Sequence, residues 1–253
     1  MIVAINQPTF LPWLGHFALI DQVDTYVLYD DVQLVKQSWG TRNRIKTQQG
    51  PLWITLPIKH NKKFKDLKFN LTEIQNELNW KKKIFKTIQN SYRKTIFYQP
   101  VIEWFESIFF NDYKYVGEIN INFIKELCLR IGINTKFIKS SELKSKDGEK
   151  DVRLVKICKE LNINKYLSPI GSYNYIEMKS PGGEFTKNNI ELKYQNYVHP
   201  TYQQLYGDFV SHISILDLLF NVGFDKSLNI IRSGIRESLD SNQVKKIENE
   251  QKI

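Results

Sequence analysis

The chain has 253 residues, 42% of them apolar and 13% aromatic, which suffices for a buried core and excludes disorder throughout. Its formal net charge of +9 favours phosphate-bearing partners. No apolar run approaches the roughly 18–20 residues of a membrane-spanning helix; the richest, Ile213 to Phe224, is broken by Ser214, Asp217 and Asn221.

Ile2–Ile5 is a short apolar run ended by Pro8, the pattern of a buried strand. Trp13 to Gln22 reads as a helix with Pro12 near its first turn. Thr25–Tyr29 follows as a second strand and Leu52–Ile58 as a third, where Pro57 implies a sheet edge or strand end. A helical segment spans about residues 72–131, with Thr72-x-x-Gln75 spaced as a capping box. Within it Ile84, Ile88 and Tyr92 share a helical face, Val101–Phe110 is aromatic-rich, and Ile121, Ile124, Cys128 and Ile131 mark a helix stopped by Gly132. Strand–helix alternation then returns. Lys136–Lys139, Tyr166–Ser168 and Ile190–Tyr194 read as strands, and Leu154, Val155, Cys158 and Leu161 as a helical stripe before a helix at His212–Phe220. This order predicts an α/β fold: a mostly parallel sheet flanked by helices, with a helical middle segment. One domain covers 1–237, and the polar residues 238–253 are expected to fray.

Cys128 and Cys158 sit on apolar helical faces without a CxxC pair, so both read as reduced core residues in a reducing cytoplasm. The opening apolar run ends at Asn6-Gln7-Pro8, too early for a signal peptide, and no membrane insertion is expected. The spacing of His16, His199 and His212 matches no zinc pattern, and no metal is expected.

Charge is unevenly placed. Residues 1–35 hold no Lys or Arg, whereas 36–68 hold nine (Lys36, Arg42, Arg44, Lys46, Lys59, Lys62, Lys63, Lys65 and Lys68) against Asp66 alone. Lys59–Lys68, with His60, reads as a solvated loop. In Lys36–Lys46 the cations mix with Ser38, Trp39, Thr41 and Asn43, which reads as binding. Ligands of open α/β sheets bind beyond the carboxyl ends of the strands. Three polar groups fall there: Asn6–Gln7 with the loop to His16, Asp30–Asp31 with Gln33, and Ser168 to Tyr175. If the second strand runs on through Asp30 and Asp31, they point to opposite faces. Asp31, His16 and His199 are the candidate proton acceptors. The strand, the Pro8–His16 loop and the following helix also look like the HxGH region of nucleotidyltransferases and related ligases, which place a helix N-terminus against ATP phosphates. Trp13 stands where the first histidine would be.

Ile5-Asn6-Gln7-Pro8-Thr9-Phe10-Leu11-Pro12-Trp13-Leu14-Gly15-His16-Phe17 resembles the opening of WbqC-like proteins, as do Tyr29-Asp30-Asp31-Val32-Gln33 and Ser38-Trp39-Gly40-Thr41-Arg42-Asn43-Arg44-Ile45-Lys46. Asp151–Glu160 followed by Tyr166–Gly171, then His199–Gln204 and Ser211–Asn221, resemble later blocks of the same family. His16 departs from the tyrosine expected there. The resemblance implies a cytoplasmic transferase of O-antigen or lipopolysaccharide synthesis, in some members transferring glycine to an amino sugar. On that reading Arg42, Arg44 and Lys46 hold the diphosphate of a nucleotide-linked amino sugar. Trp13, Trp39 or Tyr175 stack on a base or sugar. Gln7, Asp30, Gln33, Ser38, Asn43, Ser168, Tyr202 and Gln203 complete the lining. The acyl donor is open, an aminoacyl-tRNA among the options, and no cofactor is needed. Two alternatives stand beside it: an ATP-dependent ligase or nucleotidyltransferase using the HxGH-like region, and a non-catalytic nucleotide- or RNA-binding protein.

Overall fold

The computed structural model describes residues 1–35, 37–59, 67–178 and 180–250. Lys36, and with it His60, Lys62, Lys63 and Lys65 of the lysine-rich loop, lie outside the described residues.

Ile2–Asn6 (β1), Leu14–Asp21 (α1) and Thr25–Leu28 (β2) form the first parallel crossover. Arg42–Thr47 (β3) and Gly50–Thr55 (β4) make a separate antiparallel hairpin. Trp80–Tyr92 (α2), Tyr98–Phe109 (α3) and Val116–Ile131 (α4) are the helical middle segment, followed by Lys136–Lys139 (β5). Asp151–Glu160 (α5), Lys165–Ser168 (β6), Tyr173–Ile176 (α6), Gly183–Lys187 (α7) and Glu191–Tyr197 (β7) come next. Leu216–Val222 (α8), Phe224–Ser233 (α9), Ile235–Leu239 (β8) and Ser241–Glu250 (α10) complete the described chain.

The sheet order is β5-β2-β1-β6-β7-β8, parallel throughout except for the antiparallel β7–β8 pair. Both faces are covered, so the central strands are apolar on both sides. Val3, Ile5 and Val27 pack with Leu154, Cys158 and Phe185 on one face, while Ala4, Tyr26 and Leu28 meet α1, α4 and α8 on the other. Residues 14–20 of α1 are all buried, as befits a helix that is apolar all round. Both cysteines are free and buried. Among the described residues no helix is long and apolar enough to cross a membrane.

Four local expectations need correction. No helix starts at Thr72; that residue is buried in a loop, Ile74 makes an isolated bridge to Ile58, and the first helix of the middle segment, α2, begins at Trp80. The functional capping carboxylate is Glu118, whose Oε2 accepts the backbone N–H groups of Lys114 and Tyr115 before α4. β2 ends at Leu28, so Asp30 and Asp31 are turn residues and both reach Ser140, rather than opposite faces. His212 is not helical; α8 starts four residues later. The expected fraying tail instead closes β8 and forms α10, whose Val244 is 1% exposed in the core.

Candidate active site

The chain passes from β1 through β2 to β5 on one side of the sheet, and from β6 to β7 on the other. The direction reverses between β1 and β6, where open α/β sheets form a ligand crevice at the carboxyl edge. Gln7, just past β1, and Ser168, at the end of β6, flank that crevice.

On the β7 side an aromatic and cationic group assembles from three distant segments. The Trp13 ring caps the start of α1, meets Tyr197 edge-on at 5.6 Å, and stacks on His199 with centroids 6.0 Å apart. His212 lies 4.8 Å from Trp13 and 5.0 Å from His199. The turn that delivers His212 is strained: its φ is +56°, which side-chain-bearing residues avoid. Its carbonyl accepts Arg44 Nη2 at 3.3 Å. Period-two alternation puts Arg42, Arg44 and Lys46 on one face of β3. The Arg42 and Arg44 guanidinium carbons lie 4.4 and 5.7 Å from the Trp53 ring centroid. Trp53 in turn pairs with Trp39 at 5.3 Å, and these two indoles are 44% and 47% exposed.

The polar atoms of this group are left open. His199 Nδ1 lies 2.9 Å from the Pro200 carbonyl, which can only accept, so Nδ1 carries the proton and Nε2 is the basic nitrogen. That Nε2 is buried and without a hydrogen-bond partner among the described residues, as are the Nε atoms of Arg42 and Arg44. Burial pushes the His199 imidazole below its usual range; the Pro200 carbonyl opposes the shift and His212 adds to it. Burial, then the Arg44 charge, lower His212 as well. Both rings are therefore neutral at pH 7.

The second group lies past β2 and β5, three strand spacings (about 14 Å) from β7 along the sheet. Asp30 accepts from Ser141 N at 2.9 Å and Ser141 Oγ at 2.7 Å. Asp31 accepts from Ser140 Oγ at 2.5 Å, Arg153 Nη2 at 2.7 Å and Lys146 Nζ at 3.4 Å. Burial would raise the Asp31 carboxyl, but the Ser140 hydroxyl and the Arg153 and Lys146 cations together hold it below the usual carboxylate range. A carboxylate committed in this way is a weak proton acceptor. Arg153, buried on α5 and lying 4.9 Å over the Tyr29 ring, organises this group.

The model of the WbqC-like protein family matches residues 7–228 of this chain. The chain belongs to that family. The chain is also similar to the uncharacterized protein Rv1507c of Mycobacterium tuberculosis, 32% identical over 223 residues, which cover 87% of this chain and 94% of the relative. No solved structure matches.

In this WbqC-like chain the motif residues divide between open sites and scaffolding. His16 is 4% exposed, with Nε2 3.1 Å from the Tyr26 hydroxyl, and burial lowers its pKa to about 3. It is a neutral core histidine, away from the candidate base. A Cβ on Gly15 would lie 2.2 Å from the Trp13 ring, so that indole covers the first turn of α1, where the HxGH-like reading places ATP phosphates. Asn43 is buried and donates to the Phe10 and Leu11 carbonyls at 3.1 and 2.7 Å, which pins Leu11 at φ +45°. Lys46 is 3% exposed; its ammonium is held by Gln204 Oε1 at 3.1 Å and the Asp208 carbonyl at 2.6 Å, so it faces the protein instead of a ligand. Tyr202 donates to Asp217 at 3.0 Å. Ser38 Oγ accepts from Gly40 N at 3.3 Å, and Ser168 is buried with Oγ 3.2 Å from the Pro169 carbonyl. Tyr175 is half-buried, while Gln33 and Gln203 are exposed.

Among the described residues the two groups share no hydrogen-bond partner, so Asp31 does not meet Arg42 or Arg44 there by direct contact. Arg153, Trp53 and His212 were not assigned to the site from the sequence, although Arg153 and His212 fall in segments that resemble family blocks and His212 stands among the three histidines weighed there.

Proposed function

We propose that this chain is an N-acyltransferase, with glycine the leading acyl group, acting on the amino group of a nucleotide-linked amino sugar in surface-polysaccharide synthesis. The observation that carries the reading is the His199 imidazole: Nδ1–H is tied to the Pro200 carbonyl, Nε2 is buried and unpaired among the described residues, and the neighbouring His212, its ring 5.0 Å away, accepts Arg44 through its carbonyl. Only a neutral amine attacks an acyl carbon. The sugar ammonium first releases one proton to solvent; the neutral amine attacks the donor carbonyl, His199 Nε2 takes the second nitrogen proton as the C–N bond forms, and the acyl–oxygen bond breaks. The imidazolium then returns its proton to the leaving oxygen. Arg42 and Arg44 hold the diphosphate, and Trp39 with Trp53 offers a flat surface to the base. Gln7, at the crevice, supplies an amide N–H to the developing oxyanion. Asp31, ion-paired to Arg153, stays ionised and shapes the crevice wall.

Thermal-shift measurements with dTDP- or UDP-linked amino sugars against the free nucleotides test the substrate. A larger stabilisation by the amino-sugar conjugates supports the reading, provided Arg44→Ala removes it. Equal stabilisation by nucleotide alone overturns it.

A further inference from the structure

Helix α2 and the two residues after it carry a second block of positive charge that the site does not use. Residues 80–94 hold Lys81, Lys82, Lys83, Lys86, Arg93 and Lys94 and no Asp or Glu, and neither β3 nor β4 contains a carboxylate. The apolar face of α2 is Ile84, Phe85, Ile88 and Tyr92, all buried. That fixes the rotation of the helix and leaves Lys82, Lys83, Lys86, Arg93 and Lys94 exposed. None of these five makes an ion pair among the described residues. Like charges at i and i+4, such as Lys82 and Lys86, weaken an isolated helix, so an unrelieved row of them over about 20 Å calls for an anionic partner.

The row leads toward the candidate site. The Tyr92 hydroxyl accepts Lys46 N at 3.1 Å, which docks the end of α2 on β3. There Thr87, Asn90, Arg93 and Lys94 form an open polar cleft with Thr47, Gln49 and Leu52 of the hairpin. Arg42 lies four residues further along β3, about 13 Å away, and the exposed Trp53 follows Leu52.

We propose that α2 and this cleft dock the phosphate backbone of an RNA whose 3′ end carries the acyl group, so that the donor is an aminoacyl-RNA. The inference rests on the acyl-transfer reading for its chemistry: the ester to the ribose hydroxyl breaks, the sugar amide forms, and the amine proton passes through His199 to the ribose oxygen. Unpaired cations in a row track a nucleic-acid backbone. An anionic membrane fits less well, because an interfacial helix inserts its apolar face and that of α2 is already buried.

Fluorescence anisotropy of the full chain with labelled deacylated tRNA tests the docking, with Lys82→Ala/Lys83→Ala/Lys86→Ala/Lys94→Ala as the variant. The expected result is tRNA affinity at least tenfold weaker in the variant, a salt slope shallower by two or more, and an unchanged thermal shift with the nucleotide-linked amino sugar. No tRNA binding at low salt overturns the proposal. So does equal affinity for duplex DNA of the same length, or loss in the variant of phosphatidylglycerol-vesicle binding without loss of tRNA binding. If the amino-sugar shift is missing in both proteins while tRNA binding depends on α2, the substrate reading fails and the RNA surface stands.

Discussion

The Trp13 indole lies parallel to the His199 imidazole, with interplanar angle 13° and ring centroids 6.0 Å apart. One wall of the base is thus a flat apolar ring that excludes water from one side, while the Pro200 carbonyl fixes the tautomer. The lone pair on Nε2 is left without a hydrogen-bond partner among the described residues.

Replacing His199 by Gln keeps the shape and removes the base. Turnover is expected to fall by about 10²–10³, the usual contribution of a general base, with the nucleotide-sugar thermal shift retained. Because burial lowers the imidazole, the acid limb of the wild-type kcat/KM profile should have its midpoint below 6.5. Full activity in the variant, or a midpoint above that value, excludes His199 as the base.

Gly15→Ala tests the Trp13 wall. The new Cβ would sit 2.2 Å from the indole, and the half-buried ring can swing outward. Unfolding free energy should change by no more than ~1 kcal/mol, since alanine favours a helix over glycine. Affinity for the nucleotide-linked sugar should fall about tenfold, or ~1.4 kcal/mol, matching Trp13→Ala. Calorimetric titration reads both; unchanged affinity in either variant removes the wall from the site.

Asp31→Asn leaves the buried Arg153 guanidinium without its anion. Removing one partner of a buried pair costs about 3–5 kcal/mol, whereas an apolar replacement of both costs much less. Urea unfolding should show Asp31→Asn well below wild type and the double variant Asp31→Leu/Arg153→Met closer to it. The folded carboxyl lies below its ordinary value, so its contribution is present above the unfolded pKa and disappears as pH falls through the folded one.

Asp217 has the opposite sign. It is buried, accepts from Tyr92 and Tyr202 at 3.0 Å each, and burial raises its pKa from 3.8 to about 6. The folded protein then binds the proton more tightly than the unfolded chain does. The stabilisation is complete below about pH 3.8, declines as pH rises to about 6, and is constant above. Relative to Asp217→Asn, wild-type unfolding free energy should drop by on the order of 2–3 kcal/mol between pH 4 and pH 7. A pH-independent difference removes the buried titration.

The parallel sheet and its order of elements were legible because apolar runs such as Ile2–Ile5 and Thr25–Leu28 must be buried on both faces. β3 was not, since Arg42, Arg44 and Lys46 alternate only with Asn43 and Ile45, and their strand character depends on pairing with β4. The tail was misread because Val244 is one apolar side chain among polar ones, and only contact with β7 and β8 makes it core. Arg42, Arg44 and His199 were singled out from residue type and spacing. The fate of Lys46 was not, because its partners Gln204 and Asp208 are some 160 residues away, a distance no local pattern spans.

β8 lies antiparallel along β7, the strand that ends at the approach to His199. Without that partner, β7 would present a row of free amides and carbonyls to solvent, and edge strands of this kind recruit copies of themselves. β8 thus serves as a splint for the rim of the candidate site. Clipping the chain ahead of Ile235 would loosen the imidazole and invite self-association together, two defects with a single origin.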